Sequence, residues 1–429
     1  MATSSPQSAP DQASAAASMR RAAPALVALA VGGFTIGTTE FAAMGLLPDV
    51  GADLGATDPQ VGHTITAYAL GVVVGAPLLT VAAARMSRKR LLLVLMGAYT
   101  LANVLSAAAP DIGWLVFGRF LAGLPHGAFF GVGAAVGAAV AGPAQRGRAV
   151  ATMMTGLTIA NVVGVPLSTW VGQVFGWRTS YVLIGVLGLL TLLGLWRLVP
   201  AGAGGAGRSV RTELATLRNA PLWFAFVAGA IGFGGMFAVY TYVAPTMTGV
   251  TGLPGGAVPW VLALFGVGMT VGTQIGGRLA DRGVLRAVII GFVATAVSLV
   301  LFALTGAWVV PALASLFLLG VTSQMLGLAF QTRLMDLAPG AASLGAALCH
   351  AGLNVANGAG AFLGGVVIEA GWGYLAPAWA GVVVTVLGLG LILAFGRQRV
   401  VHQSASLQPA SLQPASPQSA SLQPAETTL

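Results

Sequence analysis

Charge is scarce in this chain: Asp, Glu, Lys and Arg make up 7% of its 429 residues, against about a quarter in an ordinary soluble domain. A soluble protein needs a charged shell around its core, and these residues are too few to cover even one domain of this length. Cysteine is nearly absent as well. With Cys349 alone, no internal disulfide and no cysteine-based metal cage can form. The single lysine, Lys89, follows Arg88, so the Gly-Lys-Ser/Thr phosphate loop of nucleotide hydrolases is excluded. The four histidines stand far apart in sequence, and neither His-Glu-x-x-His nor Gly-x-Ser-x-Gly occurs. Residues 202–207 read Gly-Ala-Gly-Gly-Ala-Gly and meet the dinucleotide-binding spacing formally. They form a linker, with no acidic residue about twenty positions on to meet a ribose. No catalytic residue, cofactor or metal is therefore expected, and energy for pumping would have to come from an ion gradient. Residues 1–18 lack the basic start of a cleavable signal, so the first span is expected to direct its own insertion.

What the chain has is apolar length, with 56% of its residues hydrophobic. A hydrocarbon core of about 30 Å is crossed by roughly 20 helical residues. Twelve stretches qualify, at 24–47, 60–83, 91–109, 112–140, 149–172, 178–199, 220–245, 256–280, 285–306, 308–334, 342–368 and 374–396. Lys and Arg outnumber Asp and Glu by 20 to 11, but the bases sit between apolar stretches rather than in a stripe with interleaved aromatics. Nucleic acid is thereby excluded as a partner, and the lipid bilayer takes its place. Arg20, Arg21, Arg85, Arg88, Lys89, Arg90, Arg146, Arg148, Arg208, Arg211, Arg218, Arg278, Arg282, Arg286, Arg333, Arg397 and Arg399 all fall on one side of the twelve spans. The other side carries Asp49, Asp53, Asp58, Asp111 and Glu369, with Arg178 as its one base. Both termini are accordingly expected in the cytoplasm.

The spans repeat. Gly71 and Gly75 recur as Gly268 and Gly272, and Phe120-Leu121 with Gly123 as Phe317-Leu318 with Gly320, all at an offset of 197. Gly156, Asn161 and Gly164 recur as Gly352, Asn357 and Gly360 at 196. A register shared by several span pairs marks two parallel halves, the plan of transporters that bind substrate between the halves near the midplane. The expected organisation is an N-terminal tail (1–23), a six-helix half (24–199), a Gly-rich basic linker (200–219), a second six-helix half (220–397) and a C-terminal tail (398–429). Both tails are cytoplasmic and low in residues able to form a core.

One carboxylate stands inside a span. Glu40, in Gly-Thr-Thr-Glu40-Phe-Ala-Ala-Met, costs at least about 2.5 to 3.5 kcal/mol at mid-helix if ionised. It reads either as a protonatable group facing a water-filled cavity or as half of a structural ion pair. Arg119 is the one base well within a span, and both residues lie about 10 to 12 Å below their span ends on the same side, so they can meet. His126, about two turns further along the span of Arg119, suits either a proton relay or a packing hydrogen bond. Gln324, Gln331, Asn354, Asn357, Asn161 and His350 are further intramembrane polar groups, expected mainly to bond between helices. Tyr240 and Tyr242 suit a flat ligand or an interfacial belt.

Taken together, Gly37-Thr-Thr-Glu40-Phe-Ala-Ala-Met-Gly-Leu-Leu-Pro48-Asp49, Gly118-Arg119-Phe-Leu-Ala-Gly123 and Gly277-Arg-Leu-Ala-Asp281-Arg282-Gly283 resemble the major facilitator superfamily. The closer likeness is to its twelve-span drug:proton antiporter branch of arabinose-efflux-like and chloramphenicol-resistance-like permeases. The resemblance implies an all-α membrane protein of two six-helix pseudo-repeats in a bacterial inner membrane, acting as a monomer. It implies proton coupling at Arg119, a group to which the positions of Glu40 and His126 add these two residues, and Tyr240, Tyr242, Gln324, Gln331 and Asn354 are assigned to the substrate cavity. Gating loops would be formed by Asp281 and Arg282 and, in the first half, by Arg85, Arg88, Lys89 and Arg90, where Ala84 replaces the acidic residue. Gly156, Asn161, Gly164, Pro166 and Gly172 resemble the antiporter motif of the fifth span. The expected function is proton-coupled efflux of small organic compounds, such as chloramphenicol-like antibiotics or sugars, by alternating access. A sugar or metabolite permease, and more remotely a non-transporting membrane sensor, stay open beside it.

Overall fold

Helices dominate because, in lipid, a chain that does not close a barrel can satisfy its backbone polar groups only within each helix. The computed structural model describes the backbone of residues 10–82, 86–142, 145–202, 218–338 and 342–396, with no strand among them. The first half comprises α1 (Pro10–Gly45), the short α2 (Leu47–Leu54), α3 (Asp58–Ala82), α4 (Arg88–Ala107), α5 (Ile112–Ala141), α6 (Arg146–Ile159), α7 (Val165–Phe175) and α8 (Trp177–Leu198). The second half comprises α9 (Ala220–Gly232), α10 (Gly234–Thr241), α11 (Val243–Gly249), α12 (Val258–Arg282), α13 (Val284–Thr305), α14 (Val309–Asp336), α15 (Ala342–Glu369) and α16 (Ala376–Gly396). Most of the expected linker, Arg85 and the C-terminal tail lie outside the described residues.

Among the described residues, eleven helical stretches are long and apolar enough to cross a membrane. The 25-residue α3 stands where a further span is expected and, at about 1.5 Å per residue, is also long enough. Three details differ from the expected spans. α1 begins at Pro10, upstream of 24; the chain turns into α2 where the first span ends; and the seventh span is broken into α9, α10 and α11. Loops are short and locally specified. The Asp111 carboxylate accepts the Trp114 amide at 2.8 Å and caps α5, and Gly55 ends α2 at φ 63°, a left-handed conformation that costs glycine nothing.

The repeat seen in sequence is a repeat of contacts. A methyl group added to Gly71 would meet the Phe120 carbonyl, one on Gly75 the Leu124 carbonyl, and one on Gly123 the Tyr68 carbonyl. In the second half Gly268 meets Phe317, Gly272 meets Val321 and Gly320 meets Phe265, again at backbone oxygens. The glycines and the carbonyls they approach are each 197 residues apart (268 − 71, 317 − 120, 265 − 68). The conserved register is thus that of α3 packed on α5 and of α12 packed on α14, with backbones brought close by small residues.

The two ends of the bundle differ. One face, here the terminal face, carries the Arg88 start of α4 and the Arg282 end of α12; the distal face carries Asp58, Asp111 and Glu369. Towards the distal face the halves share one core, in which Phe41, Met44, Leu47, Val61 and Ile65 join Phe237, Tyr242, Val243, Leu262 and Phe265. Towards the terminal face the first half has a core of its own, built from Leu26, Leu29, Leu92, Met96, Phe129, Val136 and Leu195. The halves therefore close on each other distally.

Candidate functional site

The centre of the bundle is set by where two breaks interrupt regular helix. Pro125 lies inside α5 and cannot donate to the preceding turn. Beyond α6 the ladder widens into a five-residue π segment, Ala160–Gly164, closed by the Val165 amide reaching the Ala160 carbonyl. Pro166, just inside α7, explains this, since it removes the donor that would have bonded Val162. The widened segment leaves the Asn161 carbonyl facing Gly266 of α12, across the boundary between halves, where a methyl group would collide with it. The motif residues therefore form a contact surface. Gly156 packs on the Ala30 carbonyl, Gly164 on Phe34 and Thr38, and Gly172 on Leu46.

Arg119 is fully buried on α5 and comes to α1. Its terminal nitrogen donates to the Thr39 carbonyl at 3.2 Å, while Nε and the other terminal nitrogen have no hydrogen-bond partner among the described residues. The guanidinium lies 4.2 Å from the Tyr68 ring centroid and 5.9 Å from that of Tyr181, contacts that favour a delocalised cation. Glu40, 7% exposed, is within electrostatic reach of Arg119. Among the described residues the ion pair within 4 Å is a different one, Arg178 with Asp53. Glu40 and Arg119 are thus brought together without being locked to each other. His126 joins them through Tyr68, whose hydroxyl lies 2.9 Å from His126 Nδ1. Tyr99, which donates to the Thr35 carbonyl at 3.2 Å, closes the cluster.

Across the boundary, the Phe41 and Phe237 rings stack at 6.5 Å with 6° between planes. The two residues stand at an offset of the repeat (237 − 41 = 196), so the stack joins one half to the corresponding part of the other. Tyr240 packs edge-on to Phe41 at 5.8 Å and face-on to Phe265 at 4.3 Å, completing an aromatic plug on the distal side of Glu40. Tyr242 donates to the Ala361 carbonyl at 2.9 Å and wedges against Gly62 of the first half and Gly364 of α15. Further out, Tyr374 donates to Asp58 at 2.5 Å and Gln173 to the Gly255 carbonyl at 3.0 Å, two more ties between halves. Burial and the bond to Asp58 push the Tyr374 phenol up to about 12. His350 of α15 stacks on Phe130 of α5 at 5.8 Å, and Phe130 in turn lies 5.3 Å from His126.

The remaining candidates are dispersed. Gln324 and Gln331 are half-buried along α14, and no hydrogen bond joins them to this cluster among the described residues. Asn354 donates to the His350 carbonyl of its own helix at 3.1 Å. Near the terminal face Lys89 donates to the Trp196 carbonyl at 2.6 Å and Arg282 to the Arg278 carbonyl at 3.2 Å, while Arg88, Arg90 and Asp281 are half-buried or exposed. Sequence reasoning missed Tyr68, Tyr99 and Phe130, which build the cluster's walls. The register holds a signal for Tyr68, because its counterpart Phe265 also lines the plug.

The family model described as Major Facilitator Superfamily matches residues 29–258 and 236–424. The chain is similar to the inner membrane transport protein YdhP of Escherichia coli (strain K12), with 39% identity over 378 residues covering 86% of this chain and 95% of that protein. It is similar to a chloramphenicol resistance protein of Streptomyces lividans, with 32% identity over 385 residues covering 89% and 97%. In fold it resembles a bacterial homolog of the human lysosomal transporter Spinster, solved inward-facing and unoccupied, at a TM-score of 0.73 and 16% identity over 89% of this chain and 98% of that one.

Proposed function

The chain belongs to the major facilitator superfamily of membrane transporters, and on that premise we propose that it exports small organic molecules from a bacterial cell in exchange for protons. The observation that carries this reading is Glu40, a carboxylate buried at mid-span beside an arginine with two unpartnered nitrogens. A carboxylate so placed is stable in lipid only when neutralised, by a proton or by the neighbouring cation. Proton uptake by Glu40 releases Arg119, and proton loss restores the attraction, so the loading state of one group is communicated to helices α1 and α5. Tyr68 and His126 extend this link toward α15.

The terminal face, rich in arginine at the helix ends, is assigned to the cytoplasm by the positive-inside rule. The closed distal face then makes this a state shut toward the outside, with the aromatic plug and the Tyr374–Asp58 tie as the external gate. The name of the Streptomyces relative supports an antibiotic-like substrate class.

The test is proton release from acid-loaded inside-out vesicles on addition of drugs and sugars, with intact protein and Glu40→Gln side by side. Release that requires both a compound and Glu40 is the expected result. Compound movement without protons, equal in both proteins, would replace this reading with a permease.

A further inference from the structure

The inner face of α15 is polar in a way that packing does not explain. Two sides of this helix are fixed by close contacts. Gly358 faces Thr66 and Ala69 of α3, while Gly360 and Gly364 face Gly234, Ala238 and Tyr242 of the broken seventh span. At about 100° per residue, His350, Asn354 and Asn357 fall on the arc between those sides, within about 60° of one another. The stack of His350 on Phe130 shows that this arc looks onto α5 of the opposite half.

On that arc His350 Nε2, Asn354 Oδ1 and both amide atoms of Asn357 are buried without a hydrogen-bond partner among the described residues. Asn354 is 3% exposed and Asn357 0%. The interhelical bonds expected for these side chains are not made by these atoms, and each buried polar group left unpaired is destabilising. The equivalent positions of the first half, 196 residues earlier, hold Met154, Thr158 and Asn161. At the first two of the three positions the second half has an imidazole and an amide in place of a thioether and a hydroxyl. The unpaired atoms include both acceptors and donors, distributed along about 10 Å of helix. No carboxylate stands on this arc; Glu40, a buried acid of the first half, stands on α1 within electrostatic reach of Arg119.

We infer that this face of α15 recognises the transported molecule, and that the molecule is uncharged and carries several hydroxyl or amide groups. The inference rests on the transport reading above and adds the substrate class to it. Binding such a molecule supplies the partners that His350, Asn354 and Asn357 lack. A lipophilic cation supplies no such partners and meets no carboxylate on this face.

The experiment uses the full chain and three probes: isopropyl thiogalactoside, thiamphenicol as an uncharged amide-bearing diol, and tetraphenylphosphonium. Binding to purified protein and uptake into inside-out vesicles are measured beside the thermal midpoint of ligand-free protein. We expect at least one uncharged probe to bind and move, and tetraphenylphosphonium to do neither. Asn357→Leu should weaken the uncharged probe at least tenfold, the effect of losing two hydrogen bonds from a buried site, while leaving the ligand-free midpoint unchanged or higher. Asn354→Leu gives the same comparison should Asn357→Leu not fold. The inference is overturned if the leucine variants lower the midpoint and leave affinity intact, which is the signature of a packing role. It is also overturned if tetraphenylphosphonium alone is moved, an outcome in which the transport reading survives. If the intact protein moves none of the three, both readings fall together.

Discussion

Arg119 shows how a single side chain can be both buried and available. Tyr68 and Tyr181 give its cation two aromatic faces, and Thr39 gives it one carbonyl. Two nitrogens are left for Glu40 or for another acceptor. Arg119→Leu removes the cation that competes with the proton for Glu40, so the pH dependence of transport should shift; an identical pH profile would show that the two do not communicate. Asp53 makes the opposite case at the surface. Its hydrogen bond from Arg178, aided by Trp177, holds the carboxyl below the usual range. A depressed folded pKa adds stability above the unfolded value, and that stability is lost as pH falls through the folded one. Asp53→Asn should therefore lower the thermal midpoint at neutral pH, with the gap to the unaltered protein closing below about pH 4. A gap independent of pH would mean that the carboxylate charge plays no part.

At the scale of elements, glycine decides which helices touch. Gly71 and Gly75 let α3 lie against the carbonyls of α5, and Gly268 and Gly272 repeat this between α12 and α14. Backbone cannot yield as a flexible side chain can. Gly71→Ala should thus cost about 1 to 3 kcal/mol through overpacking, read as a lower thermal midpoint. Gly97, inside α4 with open space where its Cβ would be, supplies the control. Gly97→Ala should be neutral or stabilise by about 0.5 to 1 kcal/mol, the difference in helix propensity. Equal effects at the two positions would remove the argument that the repeated glycines are there for contact. The same register that matches the glycines, and Arg85 and Lys89 with Arg282 and Arg286, fails to match the buried charges. Offsets of 196 and 197 carry Glu40 onto Met236 and Arg119 onto Leu316, so the halves share their packing but only the first holds the buried ion-forming pair.

For the molecule as a whole, the balance between distal closure and opening rests on a few ties. The Tyr374 phenol, pushed up to about 12, stays a hydrogen-bond donor across the physiological range, so this tie to Asp58 does not loosen with neutral pH changes. Tyr374→Phe removes the bond and keeps the ring. Opening on the distal side should then be more frequent, measured as several-fold faster labelling of an Ile65→Cys, Cys349→Ser protein by an impermeant maleimide added outside. Ile65 is 1% exposed in the closed arrangement, so labelling reports opening. An unchanged rate would assign closure to the aromatic plug and the other contacts between halves, such as Gln173 with Gly255.

The helical class, the membrane environment, the repeat and the neighbourhood of Glu40 and Arg119 are legible in the residues alone. These follow from local rules: hydrophobic length, the sign of loop charges, and depth counted along a helix. The sequence did not determine that Arg119 would rest between two tyrosines, that Phe41 would stack on its own counterpart, or that the seventh span would break in three. Nor did it reveal that the polar atoms of α15 are left unpaired, since an asparagine in a span reads equally as a helix-packing bond. Those facts depend on how helices rotate about their axes and which faces meet, and rotation is fixed by contacts between residues distant in sequence, from Gly71 with Phe120 inside one half to Gly62 with Tyr242 across the two. Only the tertiary structure decides such contacts, because no local preference distinguishes one apolar face of a membrane helix from another.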